Sequence, residues 1–165
     1  MQEYLTDAVV LNKIPNGDLD TRYVLFTRRF GKLTAKAKSA RKITSKLAPH
    51  LEPGTLSAVR LIEKNGLQVV DALKKESLVL PIRELHLLGE VLAEAEPEKG
   101  IWASLTNGKL RWPEILKVLG WDPGQAQCAM CGTATPEYFD YRSQDFFCAD
   151  CLKDKKFIGR FILIY

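Results

Sequence analysis

Four cysteines stand in two C-x₂-C pairs, and this spacing constrains the fold more than any other feature of the chain. The pairs are Cys128–Cys131 and Cys148–Cys151, and 16 residues separate them. Each C-x₂-C turn can present two thiolates on one side, so two such turns complete a tetrahedron of sulfur ligands. The pattern predicts one structural zinc ion, because four protein ligands leave no position open for water or substrate. Four buried thiols or a redox-active pair are the alternatives.

The residues around the second pair predict further structure. Tyr138–Tyr141 and Asp145–Phe147 flank a polar turn between the two pairs, which indicates a small hairpin. The chain then ends in an apolar stretch, 157–165, which we expect to pack against helices or a partner.

A block of positive charge occupies residues 22–46, where nine residues are Lys or Arg and none is Asp or Glu. Within it Leu33, Ala35 and Ala37 alternate with polar residues, which predicts a strand with an apolar inner face and a basic outer face. We expect the basic side chains to form one continuous surface that contacts a nucleic-acid backbone, and a solvated basic face is the alternative. The candidate contacts are Arg28, Arg29, Lys36, Lys38, Arg41, Lys42 and Lys46.

Five segments with strand patterns fall in the first 76 residues. They run from 4 to 14, 21 to 28, 31 to 38, 55 to 64 and 67 to 73, and Asn65-Gly66 is a strong hairpin signal between the last two. Five short antiparallel strands with a longer third connection favour a small closed barrel. The oligonucleotide-binding barrel has that strand count, and an SH3-like barrel is the alternative.

The periodicity then changes to that of helices. Apolar residues recur at three and four from Leu85 to Ala95, which predicts an amphipathic helix that ends before Pro97. Shorter helices are predicted at 101–105 and 111–120. The fold class is therefore α+β, divided into a barrel (1–76), a helical region (77–127) and a zinc-binding module with the apolar end (128–165).

Several function classes are disfavoured. The first residues lack the basic start and apolar run of a signal peptide, and no segment is apolar enough to span a membrane, so we expect a cytoplasmic protein. His50 and His86 are far apart in sequence, and the chain contains no phosphate-binding loop, hydrolase triad order or H-E-x-x-H motif. We therefore expect no enzyme activity.

Two stretches resemble the RecO family of bacterial recombination and repair proteins. Thr27–Leu33, Ala37–Arg41 and Ser45–Pro53 are similar to that family's barrel and its A-K-G-x-R loop, with Ser39 where many members have glycine. Leu119–Pro123 leading into Cys128-x₂-Cys131 is similar to the entry into the family's zinc module.

The resemblance implies an oligonucleotide-binding barrel, a helical domain and a zinc module, without known catalytic residues. It implies a nucleoid-associated protein that binds single- and double-stranded DNA and anneals complementary strands. It also implies that the protein, together with RecR, helps load RecA onto DNA coated by single-strand-binding protein. Some relatives dock the tail of single-strand-binding protein on the helical region, which is roughly half its usual length here. From the residues alone, a scaffold for an acidic protein partner and an RNA-binding zinc protein stay open.

Overall fold

The computed structural model describes residues 2–153 and 160–165, and its contacts group the chain into two compact units divided between Lys109 and Leu110. In the described part of the chain, the first unit contains five strands and two α-helices, and the second contains two short α-helices and three short strands. The three-part division at 76 and 127 stays a prediction about domains.

The five strands of the first unit close into a barrel in the order β1-β2-β3-β5-β4, and β1 pairs with both β2 and β4. β3 and β5 run parallel where Lys36 pairs with Gln68, and the other pairs are antiparallel. A five-stranded barrel of this kind confirms the predicted oligonucleotide-binding architecture. The strands are β1 (Glu3–Asn16), β2 (Asp20–Thr27), β3 (Gly31–Ala37), β4 (Thr55–Glu63) and β5 (Leu67–Ser77).

The inward side chains of these strands form the barrel core. Ala35 and Ala37 of β3 are buried there, whereas Thr34 and Lys38 are exposed, so the predicted alternation along β3 is confirmed. On β2, Tyr23 and Leu25 also lie inside the barrel. The turn between β4 and β5 holds Asn65 and Gly66 at φ 52° and 93°, which confirms the predicted hairpin.

Two helices cover part of the outer face of β1 and β2. They are α1 (Ile82–Val91) and α2 (Lys99–Thr106). A Cβ atom on Gly89 of α1 would lie 3.6 Å from Val24 Cγ1, so the helix approaches β2 closely there. Phe26 is fully buried, and its ring centroid lies 6.2 Å from that of Trp102 in α2.

The prediction that the first helix continues through Ala95 is wrong, because α1 ends at Val91. The chain is extended at Leu92 and then lies beside β3, where the Ala95 N–H donates to the Lys32 carbonyl over 2.8 Å. Gly31 has φ +70°, and a Cβ there would meet the backbone of Glu96 at 2.3 Å. Pairing with β3 therefore replaces the last helical turn that the periodicity suggests.

The second unit is built around a small sheet in the order β7-β6-β8. Its elements are α3 (Trp112–Val118), β6 (Tyr138–Asp140), β7 (Asp145–Phe147), α4 (Ala149–Leu152) and β8 (Phe161–Leu163). β6 and β7 are antiparallel, which confirms the predicted hairpin. The described part of the apolar end joins this sheet as β8, where its backbone pairs with β6. Packing of this end against helices or a partner stays a prediction. Residues 157–159 of that stretch lie outside the described residues.

Among the helices that the structure describes, none has both the length and the apolar character needed to cross a membrane.

Candidate metal centre and nucleic-acid interface

The four cysteines converge on one point of the second unit. The Sγ atoms of Cys128, Cys131, Cys148 and Cys151 all lie within 4.8 Å of one another. The Sγ atoms of Cys131 and Cys148 are 3.7 Å apart. A tetrahedral zinc site with bonds of about 2.3 Å places its sulfurs about 3.8 Å apart, so this spacing suits such an ion. The residues predicted as ligands can therefore bind a metal ion together.

Backbone hydrogen bonds shape the first C-x₂-C turn. The Gly132 N–H donates to the Cys128 carbonyl over 2.8 Å, and the Cys128 N–H donates to the Thr133 carbonyl over 2.9 Å. Gly132 has φ +75°, a conformation that favours glycine. The Ala129 N–H donates to the Phe146 carbonyl over 2.8 Å, which ties this turn to β7. Cys148 follows β7 directly and precedes α4, so the hairpin places the second pair beside the first.

The thiols differ in how readily they lose a proton. Burial raises the pKa of Cys128, but N–H groups of Cys131, Cys148 and Met130 hydrogen-bond to its sulfur and lower the pKa to about 6. Hydrogen bonds to Cys148 and Cys131 raise the pKa of Cys151 to about 12, with burial and the charge of Cys128 acting in the same direction. Several thiolates at this distance repel one another, and a bound cation removes that repulsion.

A partly buried ion pair supports the sheet beside the cysteines. Asp140 of β6 is fully buried, and Arg160, just before β8, donates from Nε to its Oδ2 over 2.7 Å. The Arg142 N–H donates to the other oxygen over 3.0 Å. Burial acts to raise the pKa of Asp140, but the bonds from Arg160 and Arg142 hold it below its usual range. Sequence reasoning missed this pair, because two charges 20 residues apart carry no local pattern.

Five of the seven predicted nucleic-acid contacts lie at one end of the barrel, where the chain leaves β3 for the long connection to β4. Lys38, Arg41, Lys42 and Lys46 are exposed, and Lys36 is half-buried. The Arg41 N–H donates to the Leu19 carbonyl over 2.9 Å, and Arg41 Nη1 donates to the Gly17 carbonyl over 3.0 Å. These bonds fix the connection against the β1–β2 turn. The loop-end group is Lys36, Lys38, Arg41, Lys42 and Lys46.

Asp20 organises this end of the barrel. Its Oδ2 lies 2.7 Å from Lys36 Nζ, and its Oδ1 accepts the Ser39 N–H over 2.8 Å. These two bonds hold the pKa of Asp20 below its usual range. Within the described residues, Lys36 is the one member of the loop-end group that forms an ion pair. Ser39 has φ +55°, which is a physical reason for glycine at this position.

Arg28 and Arg29 lie at the opposite end, in the turn between β2 and β3. The eight residues of β2 separate the two ends, a distance of roughly 25 Å at about 3.3 Å per residue. Between them, Lys32 is engaged by α1 and by the segment that follows it. Its Nζ donates to the Gly89 carbonyl over 3.0 Å and lies 3.4 Å from Glu94, and its side chain is 12% exposed. The expectation of one continuous basic surface is therefore wrong, because α1 and the segment after it interrupt that surface.

The surroundings of Arg28 and Arg29 differ from those of the loop-end group. Both arginines line a cavity of about 470 Å³ with Asp7, Lys75 and the exposed side chain of Leu5. Asp7 forms an ion pair of 2.5 Å with Lys75. This end therefore mixes both signs of charge with apolar surface, whereas the loop-end group is almost uniformly basic.

Two aromatic residues of the basic block, Tyr23 and Phe30, differ in how far a base could stack on them. Tyr23 is 2% exposed inside the barrel, so it cannot stack on a ligand at the surface. Phe30 is half-buried, with its ring edge-to-face with Tyr4 at 5.2 Å and the Arg29 guanidinium 5.3 Å from its centroid. The neighbours of Phe30 thus already occupy part of its ring surface.

Taken together, the closed five-stranded barrel and the four-cysteine cluster define a class: an oligonucleotide-binding-type barrel joined to a metal-binding module. The family model described as "Recombination protein O N terminal" matches residues 1–77, which is the barrel. The DNA repair protein RecO of Thermodesulfovibrio yellowstonii is 30% identical over 90% of this chain and 70% of that protein. The protein of the same name from Myxococcus xanthus is also 30% identical, over 92% of this chain and 73% of its own length. The chain belongs to the RecO family of DNA repair proteins.

A third relative bears on the length of the chain. The DNA repair protein RecO of Haemophilus influenzae is 28% identical over all of this chain and 81% of its own. That alignment runs over 193 positions, whereas this chain has 165 residues, so at least 28 positions of the relative have no counterpart here. These gaps fall within the chain, which agrees with an internally shortened protein.

Proposed function

We propose that the protein is a non-catalytic DNA-binding mediator of recombinational repair. It binds single- and double-stranded DNA, promotes annealing of complementary strands, and acts with RecR to load recombinase onto DNA coated by single-strand-binding protein. The observation that carries the proposal is the loop-end group, five cations gathered at one end of an oligonucleotide-binding-type barrel. The sequence from Thr21 to Leu51 contains no carboxylate, so little negative charge from the same segment competes with phosphate.

The loop-end group suits a phosphate backbone for physical reasons. Arg41, Lys42 and Lys46 are exposed, so their charges meet the ligand without loss of an existing ion pair. If four or five phosphates are neutralised on a single strand, log affinity falls with log salt at a slope near −3.

Salt-dependent binding to a labelled single-stranded oligonucleotide tests the proposal. Replacing both Arg41 and Lys42 with alanine is expected to flatten the slope by about one unit or more. A variant with Lys99→Ala and Lys109→Ala removes the same charge from exposed positions of the same unit and serves as the control. An unchanged slope in the Arg41/Lys42 variant, or equal losses in both variants, would reject this loop as the phosphate contact.

Annealing and loading are tested with the same variants. Because annealing requires that the protein hold DNA, the Arg41/Lys42 variant is expected to anneal complementary oligonucleotides more slowly than the lysine control. Recombinase loading onto coated DNA, measured with and without RecR, is expected to require RecR. Equal loading without RecR would contradict that part of the proposal.

The other end of the barrel favours a second activity, the binding of an acidic protein partner. Leu5 and Leu73 are 66% and 64% exposed on the two strands that flank Ala58 of β4, and Arg28 and Lys75 line the same cavity as Leu5. Exposed apolar side chains next to charged ones suit a protein interface better than a polyanion alone. RecR is the partner that family membership suggests, and single-strand-binding protein is a further candidate. Leu73→Ser is expected to weaken RecR binding in a pull-down while DNA binding is unchanged.

The metal is proposed to be one structural zinc ion per chain, held by Cys128, Cys131, Cys148 and Cys151. Four sulfur ligands leave no open coordination position, so the ion would shape the second unit and take no part in chemistry.

A further inference from the structure

Ile43 is a fully exposed apolar residue that lies between members of the loop-end group in the sequence. Its accessible area is 106% of the reference value, the highest among the exposed large hydrophobic side chains that the structure describes. A single exposed apolar residue is ordinary on a protein surface. Ile43 differs because it lies between Lys42 and Lys46, in a stretch of the chain that has no Asp or Glu from 21 to 51.

The backbone holds Ile43 in a defined place. The Lys42 N–H donates to the Ser39 carbonyl over 3.1 Å, and the Ser45 N–H donates to the Lys42 carbonyl over 2.9 Å. The second bond closes a turn with Ile43 and Thr44 at its two corners. Arg41 fixes the connection between β3 and β4 to the β1–β2 turn, so the turn that carries Ile43 has a defined place, with Ile43 facing solvent.

The charges around Ile43 indicate which kind of ligand binds there. No carboxylate occurs from residue 21 to residue 51, so the cations on both sides attract a polyanion. Sites that bind single strands combine cations that follow the backbone with side chains that contact the bases. Apolar side chains inserted between bases are an established way to separate a stack.

We propose that Ile43 inserts between adjacent bases of single-stranded DNA held by the loop-end group. This rests on the DNA binding proposed above and adds a base contact to the phosphate contacts. A single strand is the preferred form because separating its bases costs least. Bases held apart on the protein remain accessible for pairing with a complementary strand.

An oligonucleotide with 2-aminopurine next to an adenine tests the insertion, because stacking on neighbouring bases quenches the fluorescence of this analogue. Binding of the unaltered protein is expected to raise the fluorescence. Ile43→Ser is expected to lose this rise and to weaken binding about tenfold, with an unchanged salt slope because no charge is removed. Ile43→Leu is expected to retain both properties.

Val79→Ser is the matched control, because Val79 is 94% exposed and lies outside the basic block. Equal thermal unfolding of the variants shows that the barrel is intact, as expected for so exposed a position. If Ile43→Ser binds with unaltered affinity and fluorescence while the Arg41/Lys42 variant shows the flatter salt slope, the insertion is wrong and the proposed function stands. If the unaltered protein binds no DNA, both are wrong.

Discussion

The two units of this protein reach a folded state by different means. The barrel buries a continuous apolar core, with Leu25, Leu51 and Leu61 fully inaccessible, inside a ladder of strands that closes on itself. The second unit has strands of three residues each, and its cysteines point at a common centre. A closed ladder with a continuous core is stable without a cross-link, whereas a sheet this short contributes little stability and gains most from a cross-link or a metal. The difference predicts that the two units respond separately to perturbation.

Removal of the metal should give the largest effect. The purified protein is expected to contain about one zinc per chain by elemental analysis. Because structural zinc contributes about 10–16 kcal/mol at neutral pH, chelation should unfold the second unit and leave the barrel folded. Amide signals of the barrel strands in NMR spectra, with and without chelator, check this. Absence of metal from protein purified in reducing buffer, or unfolding of both units together on chelation, would contradict this difference between the units.

A cavity in the barrel core should destabilise the first unit and leave the second unit folded. Leu61 is fully buried in the barrel core, so Leu61→Ala is expected to lower the free energy of unfolding of the first unit by about 2–5 kcal/mol. Denaturant unfolding followed by barrel amide signals measures this, and zinc content should be unchanged. Loss of zinc in this variant would show that the units are energetically coupled.

Acid should affect the second unit through Asp140. Its folded-state pKa is lower than its unfolded value, so its ion pair stabilises the fold above the unfolded pKa and is lost as pH falls through the folded pKa. Asp140→Asn is expected to lower the stability of the second unit by about 2 kcal/mol near neutral pH. The second unit of Asp140→Asn should also lose less stability than that of the parent protein when the pH falls below about 4, the usual pKa of Asp. Thermal unfolding at several pH values tests this, and identical pH profiles for variant and parent would contradict it.

The smallest predicted effect concerns the loop that carries the cations. Ser39 has φ +55°, so Ser39→Gly is expected to stabilise the barrel by about 1 kcal/mol. Ser39→Ala, which keeps a Cβ, should bring no such gain. A rise in the unfolding temperature for alanine equal to that for glycine would show that the backbone conformation is not the cause.

Local patterns in the sequence predicted the elements well. The alternation through Ala35 and Ala37 and the turn at Asn65-Gly66 led to the barrel, and two C-x₂-C pairs led to the cysteine cluster. These predictions succeed because strand faces, tight turns and metal knuckles depend on residues a few positions apart.

What covers each face was decided only by tertiary structure. Lys32 has the same outward position as Lys36 in the pattern, yet α1 and the segment after it engage Lys32, so the basic residues fall into two groups. The end of α1 and the pairing of β8 with β6 were likewise set by distant backbone partners. Periodicity states which side of a strand is polar, but whether that side meets solvent, a helix or DNA depends on packing between residues far apart in the chain.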